Sequence, residues 1–378
     1  MFVLSVLVFV HEFGHFLAAK RLGIKVEEFA FGLPFTKSLI SIKRGETTYS
    51  IYPLLFGGFV RMLGEESEIQ SSKISKKDKN RDFWSRGKKQ RLVVILAGVA
   101  MNLVLAISGF WILYSSVGTP KSFQNKVTVI ESVKGSPAEV AGIKEKERII
   151  KVEDRFVENT SEFGELMKTW AGLKVNLTIE SGEVTPLFEG LIERSTTSRV
   201  VSVTPRKNPP EGQGALGIVI AEYPYVITEK CKMYNVECTV GAIGQGFKST
   251  GLWIGRIAEG LQSIGRSLVA GKTPEGVAGP VGIYQLTGLV AAEGMLPLLE
   301  LISVLSVNLA VFNFLPIPAL DGGRALFIYL EILLKRRIPA TVEQKVNSWG
   351  MILLLGLMVL VSLQDVWRLG ILDRLLKR

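Results

Sequence analysis

The only two histidines in this chain of 378 residues stand one helical turn apart, in His11-Glu12-Phe13-Gly14-His15. On a helix that spacing puts both imidazoles on one face, within reach of a single metal ion, and Glu12 projects beside them. Zinc held by neutral nitrogen ligands lowers the pKa of its bound water to about 7, and a neighbouring carboxylate can take the proton as that water attacks a carbonyl. Such a trio is the apparatus of a hydrolase. Its setting adds a constraint, because the apolar run from Met1 to Ala19 has the length of a membrane span. At about 1.5 Å per residue, His11 falls near mid-depth of that run, where ionisable groups are costly and serve function.

Two histidines leave a tetrahedral catalytic zinc one protein ligand short, so the third must be Asp, Glu or Cys. Cys231 and Cys238 sit together in one polar loop, outside the membrane in the topology below. They are too few for a zinc ribbon and leave open one disulfide or two free thiols. A carboxylate is favoured. Asp321 follows an apolar segment directly, in Asn313-Phe314-Leu315-Pro316-Ile317-Pro318-Ala319-Leu320-Asp321-Gly322-Gly323. The prolines interrupt helical hydrogen bonding and the paired glycines allow a tight turn. Irregular backbone at membrane depth is tolerated only where it is buried in protein or lines a cavity. Glu300 is the rival ligand, but its place near the outer end of a span suits an interfacial residue.

Four elements of membrane length must position these groups. The apolar stretches are Met1 to Ala19, Leu92 to Tyr114, Met295 to Leu315, and Trp349 to Leu363, the last lengthened by Val346, Val366 and Trp367. An apolar fraction of 47% and a mean hydropathy of +0.30 agree with a membrane protein. A cleaved signal peptide is the alternative for the first stretch. It is opposed by the lack of a preceding positive charge, by Lys20 and Arg21 directly after, and by the loss of both histidines on cleavage. The net charge of +10 shows no basic stripe interleaved with aromatics, so nucleic acid is set aside. Lys20 to Arg91 carries 16 Lys and Arg against 8 Asp and Glu, and Lys335-Arg336-Arg337 follows the third span. Both loops are expected to be cytoplasmic, with the N-terminus, the segment between spans two and three, and the C-terminus outside. Arg374, Lys377 and Arg378 pull weakly against that last placement.

The expected organisation is a first span at 1–22, a β-rich cytoplasmic or membrane-associated segment at 23–91, and a second span at 92–114. An outer domain follows at 121–206, then an outer linker and amphipathic helix at 207–294. The third span covers 295–316, the proline motif and a cytoplasmic loop 317–348, and the fourth span 349–364. In the outer domain short β-type runs surround a helix-like stretch, Ser161 to Trp170. There Gly135-Ser136-Pro137-Ala138-Glu139-Val140-Ala141-Gly142-Ile143 resembles the start of a PDZ domain, although Lys144-Glu145-Lys146-Glu147 replaces the usual turn that follows. Ile243, Phe247, Ile254, Ile257, Leu261, Ile264 and Leu268 recur at helical spacing with Lys248, Arg256 and Arg266 among them. They suit a helix on a membrane surface or against the outer domain, or a simple core helix. Thr47 to Met62, which contains Gly57-Gly58, is β-prone and apolar but too interrupted for a fifth helical span. It reads either as a membrane-associated β-hairpin or as an ordinary cytoplasmic one.

His11-Glu12-x-x-His15 together with the proline motif resembles the site-2 protease family of intramembrane zinc proteases. That family carries His-Glu-x-x-His in one span and Asn-x-x-Pro-x-Pro-x-Leu-Asp-Gly in a later one, and Asn313 to Gly322 fits every fixed position. The resemblance extends over most of the chain, and the outer domain makes it similar to the bacterial branch that includes the regulator of sigma-E protease. PDZ domains in that branch often come as a pair, and one is evident here. The resemblance implies zinc bound by His11, His15 and Asp321, with Glu12 as general base. It also implies that Asn313 holds the substrate or the oxyanion. Gly98-x-x-x-Asn102 looks like the family's Gly-x-x-x-Asn pattern, which brings Asn102, with Gly57 and Gly58, among the candidate substrate or oxyanion residues. An Asn in hydrocarbon more often bonds a neighbouring helix. Similar proteins carry a membrane β-hairpin near Thr47 to Met62 that can pair with an unwound substrate as an added strand.

The fold class expected is therefore a multi-pass α-helical membrane protein of about four transmembrane helices, with an inserted α/β PDZ-like domain and a membrane-associated β-hairpin. The expected function is zinc-dependent cleavage within the membrane segments of single-span proteins, of the anti-sigma factor or remnant signal peptide type, in the bacterial cytoplasmic membrane. Peptide docking to the outer domain and contact with the lipid bilayer go with it. The alternative is a PDZ-bearing membrane scaffold with a vestigial metal site.

Overall fold

A computed structural model describes residues 2–54, 57–65, 78, 80–229, 236–271 and 279–368. In chain order the elements are α1 (Phe2–Arg21), β1 (Val26–Phe31), β2 (Ile40–Arg44), β3 (Thr47–Ile51), β4 (Gly58–Met62) and α2 (Lys88–Val117). Then follow β5 (Thr119–Ser132), α3 (Pro137–Val140), β6 (Arg148–Val152), β7 (Arg155–Phe156), α4 (Thr160–Thr169), β8 (Val175–Ser181), β9 (Val184–Leu187), β10 (Gly190–Glu193), β11 (Thr197–Val203) and β12 (Ile218–Glu229). The chain closes with α5 (Val236–Val269), α6 (Pro280–Ala292), α7 (Met295–Phe314), α8 (Asp321–Leu334) and α9 (Ala340–Arg368). Among the described residues α1, α2, α7 and α9 are long and apolar enough to cross a membrane. The cysteine pairing raised by the sequence falls on Cys231 and the side chain of Cys238, outside the described residues.

Two compact units emerge, one of Met1–Trp111, Ile243–Gly294 and Leu301–Arg378, the other of Ile112–Ala242 and Met295–Glu300. In the first, a sheet of order β2-β3-β1-β4 lies against α1. β1 pairs parallel with β3 and antiparallel with β4, so Thr47 to Met62 is not a hairpin of its own. The hairpin joins β2 to β3 instead, turning at Gly45 with φ +65°. β1 separates β3 from β4 because its run of buried residues, Val26 and Glu28 to Ala30, suits an interior strand covered on both faces. Val26 and Phe29 of β1, Val60 and Met62 of β4, Val94 of α2 and Ile328 of α8 share one apolar core.

The helices differ from the expected bounds in instructive ways. α2 begins at Lys88 rather than Leu92, although Lys88, Lys89 and Arg91 read as loop. Arg91 is buried, pairs with Glu331 of α8 at 2.7 Å and lies over the Trp84 ring at 4.8 Å, while Lys88 Nζ donates to the Glu331 carbonyl at 2.7 Å. Neutralised in this way, the charged turn joins the helix. α8 lies within what reads as the proline motif and a cytoplasmic loop, and α9 starts well before Trp349. The expected outer linker holds β12, α5 and the apolar α6. α5 is the predicted amphipathic helix, and it packs on α2 through Gly246, where a Cβ would stand 2.9 Å from the Ile107 carbonyl oxygen.

The second unit is a sheet of order β11-β8-β6-β5-β12-β10-β9, with β7 paired to β6. Alternate residues of β8, Val175, Leu177 and Ile179, point into a core that Phe163 and Met167 of α4 complete. Asn159 caps α4 by accepting the Glu162 N–H at 2.8 Å. The sheet reaches past the expected end at 206, because β12 pairs along β5 despite Pro224 within it, a residue that argues against a strand when only the sequence is read. Glu300 is buried here, and its carboxylate accepts the Phe188 N–H at 2.9 Å.

Removing one partner of a buried ion pair leaves an uncompensated charge. Arg91→Met is therefore expected to cost about 3 kcal/mol of stability, read from the denaturation midpoint of the detergent-solubilised protein; a loss below about 1 kcal/mol would show that α2 and α8 do not depend on the pair.

Candidate metal centre

The histidines of α1 and the first residue of α8 converge. The His11 and His15 rings stand nearly perpendicular, at 83°, with their Nε2 atoms 3.2 Å apart. Asp321 Oδ2 is 2.9 Å from His11 Nε2 and 3.2 Å from His15 Nε2. A tetrahedral zinc with bonds of about 2.0–2.1 Å has ligand–ligand edges of about 3.3–3.4 Å, close to this triangle.

The partners of the other ring nitrogens show why the cluster suits a cation. His15 Nδ1 lies 2.8 Å from the Val94 carbonyl oxygen, which can only accept, so Nδ1 carries the proton and Nε2 is a bare lone pair. His11 Nδ1 lies 3.1 Å from Asn102 Nδ2, on a side chain with no exposure at all, whose Oδ1 is buried without a hydrogen-bond partner. Amide nitrogen and oxygen exchange places on a half-turn, and with Oδ1 facing the ring, Nδ1 donates and His11 Nε2 is bare as well. Asp321 Oδ2 is itself a buried atom with no hydrogen-bond donor. In those tautomers three buried ligand atoms face one point, an arrangement that a bound cation would complete.

Space for this is made by glycine. A Cβ at Gly98 of α2 would stand 2.5 Å from His15 Nε2 and 2.8 Å from His11 Nε2, so no other residue leaves both rings in place. At the start of α8, any Cβ on Gly322 would run into the Leu315 carbonyl, which lets the chain fold back and deliver Asp321. Ser306 of α7 donates to the Asn102 carbonyl at 2.8 Å and ties the third span to α2.

The sequence-based candidates are placed as follows. His11, His15 and Asp321 are brought together, and Glu12 lies on the same helix beside Gly58 of β4, where a Cβ would stand 3.4 Å from Glu12 Cγ. Gly57 has φ +112° and borders Leu33 rather than the cluster. Asn102 contacts His11 across to the neighbouring helix. Asn313 is buried on α7. Glu300 is not part of the cluster. The Val94 carbonyl is missed by sequence reasoning, since a backbone oxygen leaves no residue signature.

A family profile described as Peptidase family M50 matches residues 1–357. The chain belongs to this family. A Clostridium perfringens protein whose description names a zinc metalloprotease is 36% identical over 362 residues, spanning 96% of each chain. The zinc metalloprotease RasP of Geobacillus kaustophilus is 30% identical, again over 96% of each. The regulator of sigma-W protease of Bacillus subtilis is 29% identical over 97% of each. The M50 chain is accordingly a zinc metalloprotease of the site-2 type and an integral bacterial membrane protein, in keeping with its four apolar helices.

For this M50 protease, Gly98→Ala is expected to abolish stoichiometric zinc while the fold persists, measured by metal analysis and circular dichroism. Asn102→Leu, which removes the acceptor from His11, is expected to weaken zinc binding by about 10–100-fold in chelator competition.

Proposed function

We propose that the protein hydrolyses a peptide bond within or beside the membrane segment of single-span proteins, with zinc on His11, His15 and Asp321 and with Glu12 as general base. The observation that carries this reading is the triangle of three convergent ligand atoms on a membrane-length helix and the turn that meets it. Bound zinc would supply a Lewis acid and a water ionising at a pKa of about 7. Glu12 takes the water's proton on its carboxylate and returns it to the nitrogen of the leaving amine. Val94 and Asn102 hold the imidazoles in the tautomer that leaves Nε2 free.

A substrate helix hides its carbonyls in its own hydrogen bonds and must be extended before attack. β4 is an edge strand of its sheet among the described residues, and Gly58 brings that edge beside Glu12. An added substrate strand on β4 would be held open by main-chain hydrogen bonds, with its scissile carbonyl near the base. Asn313 and Gly57 are assigned to the substrate or oxyanion side of the site.

The preferred substrates are anti-sigma factors already shortened by another protease, or remnant signal peptides, a reading supported by the name of the Bacillus subtilis relative. The outer unit acts as a PDZ-like docking and screening domain on the outer side of the cytoplasmic membrane. Support comes from its groove of about 520 Å³, lined by Phe163 and Met167 of α4, by Leu216, and by Ile218 and Ile220 of β12, with Arg206 at its side. An apolar peptide with a carboxylate suits that lining.

Glu12→Gln is expected to lower cleavage of a model single-span substrate by about 10²–10⁴-fold while zinc content stays at one per chain. Equal cleavage by the variant would remove Glu12 as base. Equal biological function without cleavage would favour the scaffold reading.

A further inference from the structure

Between α7 and α8 the chain makes a compact knot: Ile317 N–H donates to the Leu315 carbonyl at 2.7 Å, and Leu320 N–H to that of Ile317 at 3.2 Å. Ala319 within it has φ +71°, a conformation that crowds the Cβ of an L-residue. Nothing in the local sequence favours it, since the glycines that would adopt it freely come later, at 322 and 323. Two residues on, the chain delivers Asp321.

What holds the knot comes from the fourth span. The Ala319 N–H donates to Asn347 Oδ1 of α9 at 3.2 Å. One turn further on the same helix face, Gly350 is buried against Pro318, and a Cβ there would stand 2.9 Å from the Pro318 carbonyl oxygen. α9 is otherwise sparingly packed: only 6% of its most apolar stretch is buried. A further polar tie lies near its far end, where Asp365 accepts the Gly282 N–H at 2.9 Å. Asn347 and Gly350 are thus placed where a span with few contacts meets the turn before a ligand.

We infer that Asn347 and Gly350 are positioning residues for the metal centre: the amide oxygen and the missing side chain together hold Pro318 and Ala319 in the conformation that aims Asp321 at the histidines. This rests on Asp321 being a zinc ligand. Without the Asn347 oxygen, the Ala319 N–H loses its partner and the residue has no compensation for its positive φ. The loop then samples other conformations, and Asp321 leaves the triangle for part of the time.

The test is zinc release from the full-length protein in lipid nanodiscs, followed with a chromogenic chelator, for wild type, Asn347→Ala, Gly350→Ala, Ala319→Gly, Asn347→Ala with Ala319→Gly, and Asp321→Asn. Asn347→Ala and Gly350→Ala are each expected to release zinc about tenfold faster. Ala319→Gly is expected to recover at least part of that loss in the Asn347→Ala background, because glycine adopts a positive φ without strain. A packing role for Asn347 unrelated to the loop would not respond to a change at 319, so absence of any recovery overturns the inference. Wild-type release by Asn347→Ala and Gly350→Ala, with zinc lost from Asp321→Asn, also overturns it but leaves the ligand assignment standing. Wild-type zinc retention by Asp321→Asn overturns the ligand assignment itself. Gly350→Ala keeps every hydrogen bond and decides the matter alone if Asn347→Ala is not recovered folded.

Discussion

Three acceptor-type atoms, His11 Nε2, His15 Nε2 and Asp321 Oδ2, meet in one buried space. In water this arrangement would disperse, because each acceptor would take a solvent hydrogen bond. Inside a bundle of apolar helices it persists only because other contacts fix each group from behind, and a cation is the natural complement. The demands placed on the first unit follow from that: each ligand needs a partner that orients it, and each partner needs an element that stays in place.

α2 meets most of these demands. Its Val94 carbonyl and Asn102 amide orient the two rings, and Gly98 leaves the room between them. Arg91 joins its first turn to α8, the helix that Asp321 begins. One helix is thereby in register with both sources of ligands. A buried ion pair is a weak source of net stability, since desolvation offsets most of the attraction. Its value here is geometric, because Arg91 and Glu331 can satisfy each other in only one alignment of the two helices.

A protease in hydrocarbon faces a second constraint, which is that its substrate's backbone is already satisfied. Among the described residues, the four-stranded sheet beside α1 has an edge strand, β4, next to Glu12. An open edge is a liability in most proteins because it invites pairing. In the proposed function, the same property becomes a means of holding a substrate chain extended.

Residue types and spacing were enough to bring His11 and His15 together as a candidate metal-binding pair, because i,i+4 on a helix is local geometry that needs no fold. Composition alone likewise located the four spans, since about 20 apolar residues is a property of the chain and of the bilayer. Asp321 was legible from its prolines and glycines, which have few other uses at membrane depth. The tertiary structure decided what acts across long separations in the chain. Only there do charged Lys88 and Arg91 become part of a helix, β1 come between β3 and β4, and the Asn102 amide meet the His11 ring. Only there, too, does Asn347 meet Ala319. A hydrogen bond to a backbone atom selects for position and not for residue type, so it leaves almost no mark in a single sequence. For the metal centre, ligand identity is therefore written locally, while ligand orientation is a property of the packed helices.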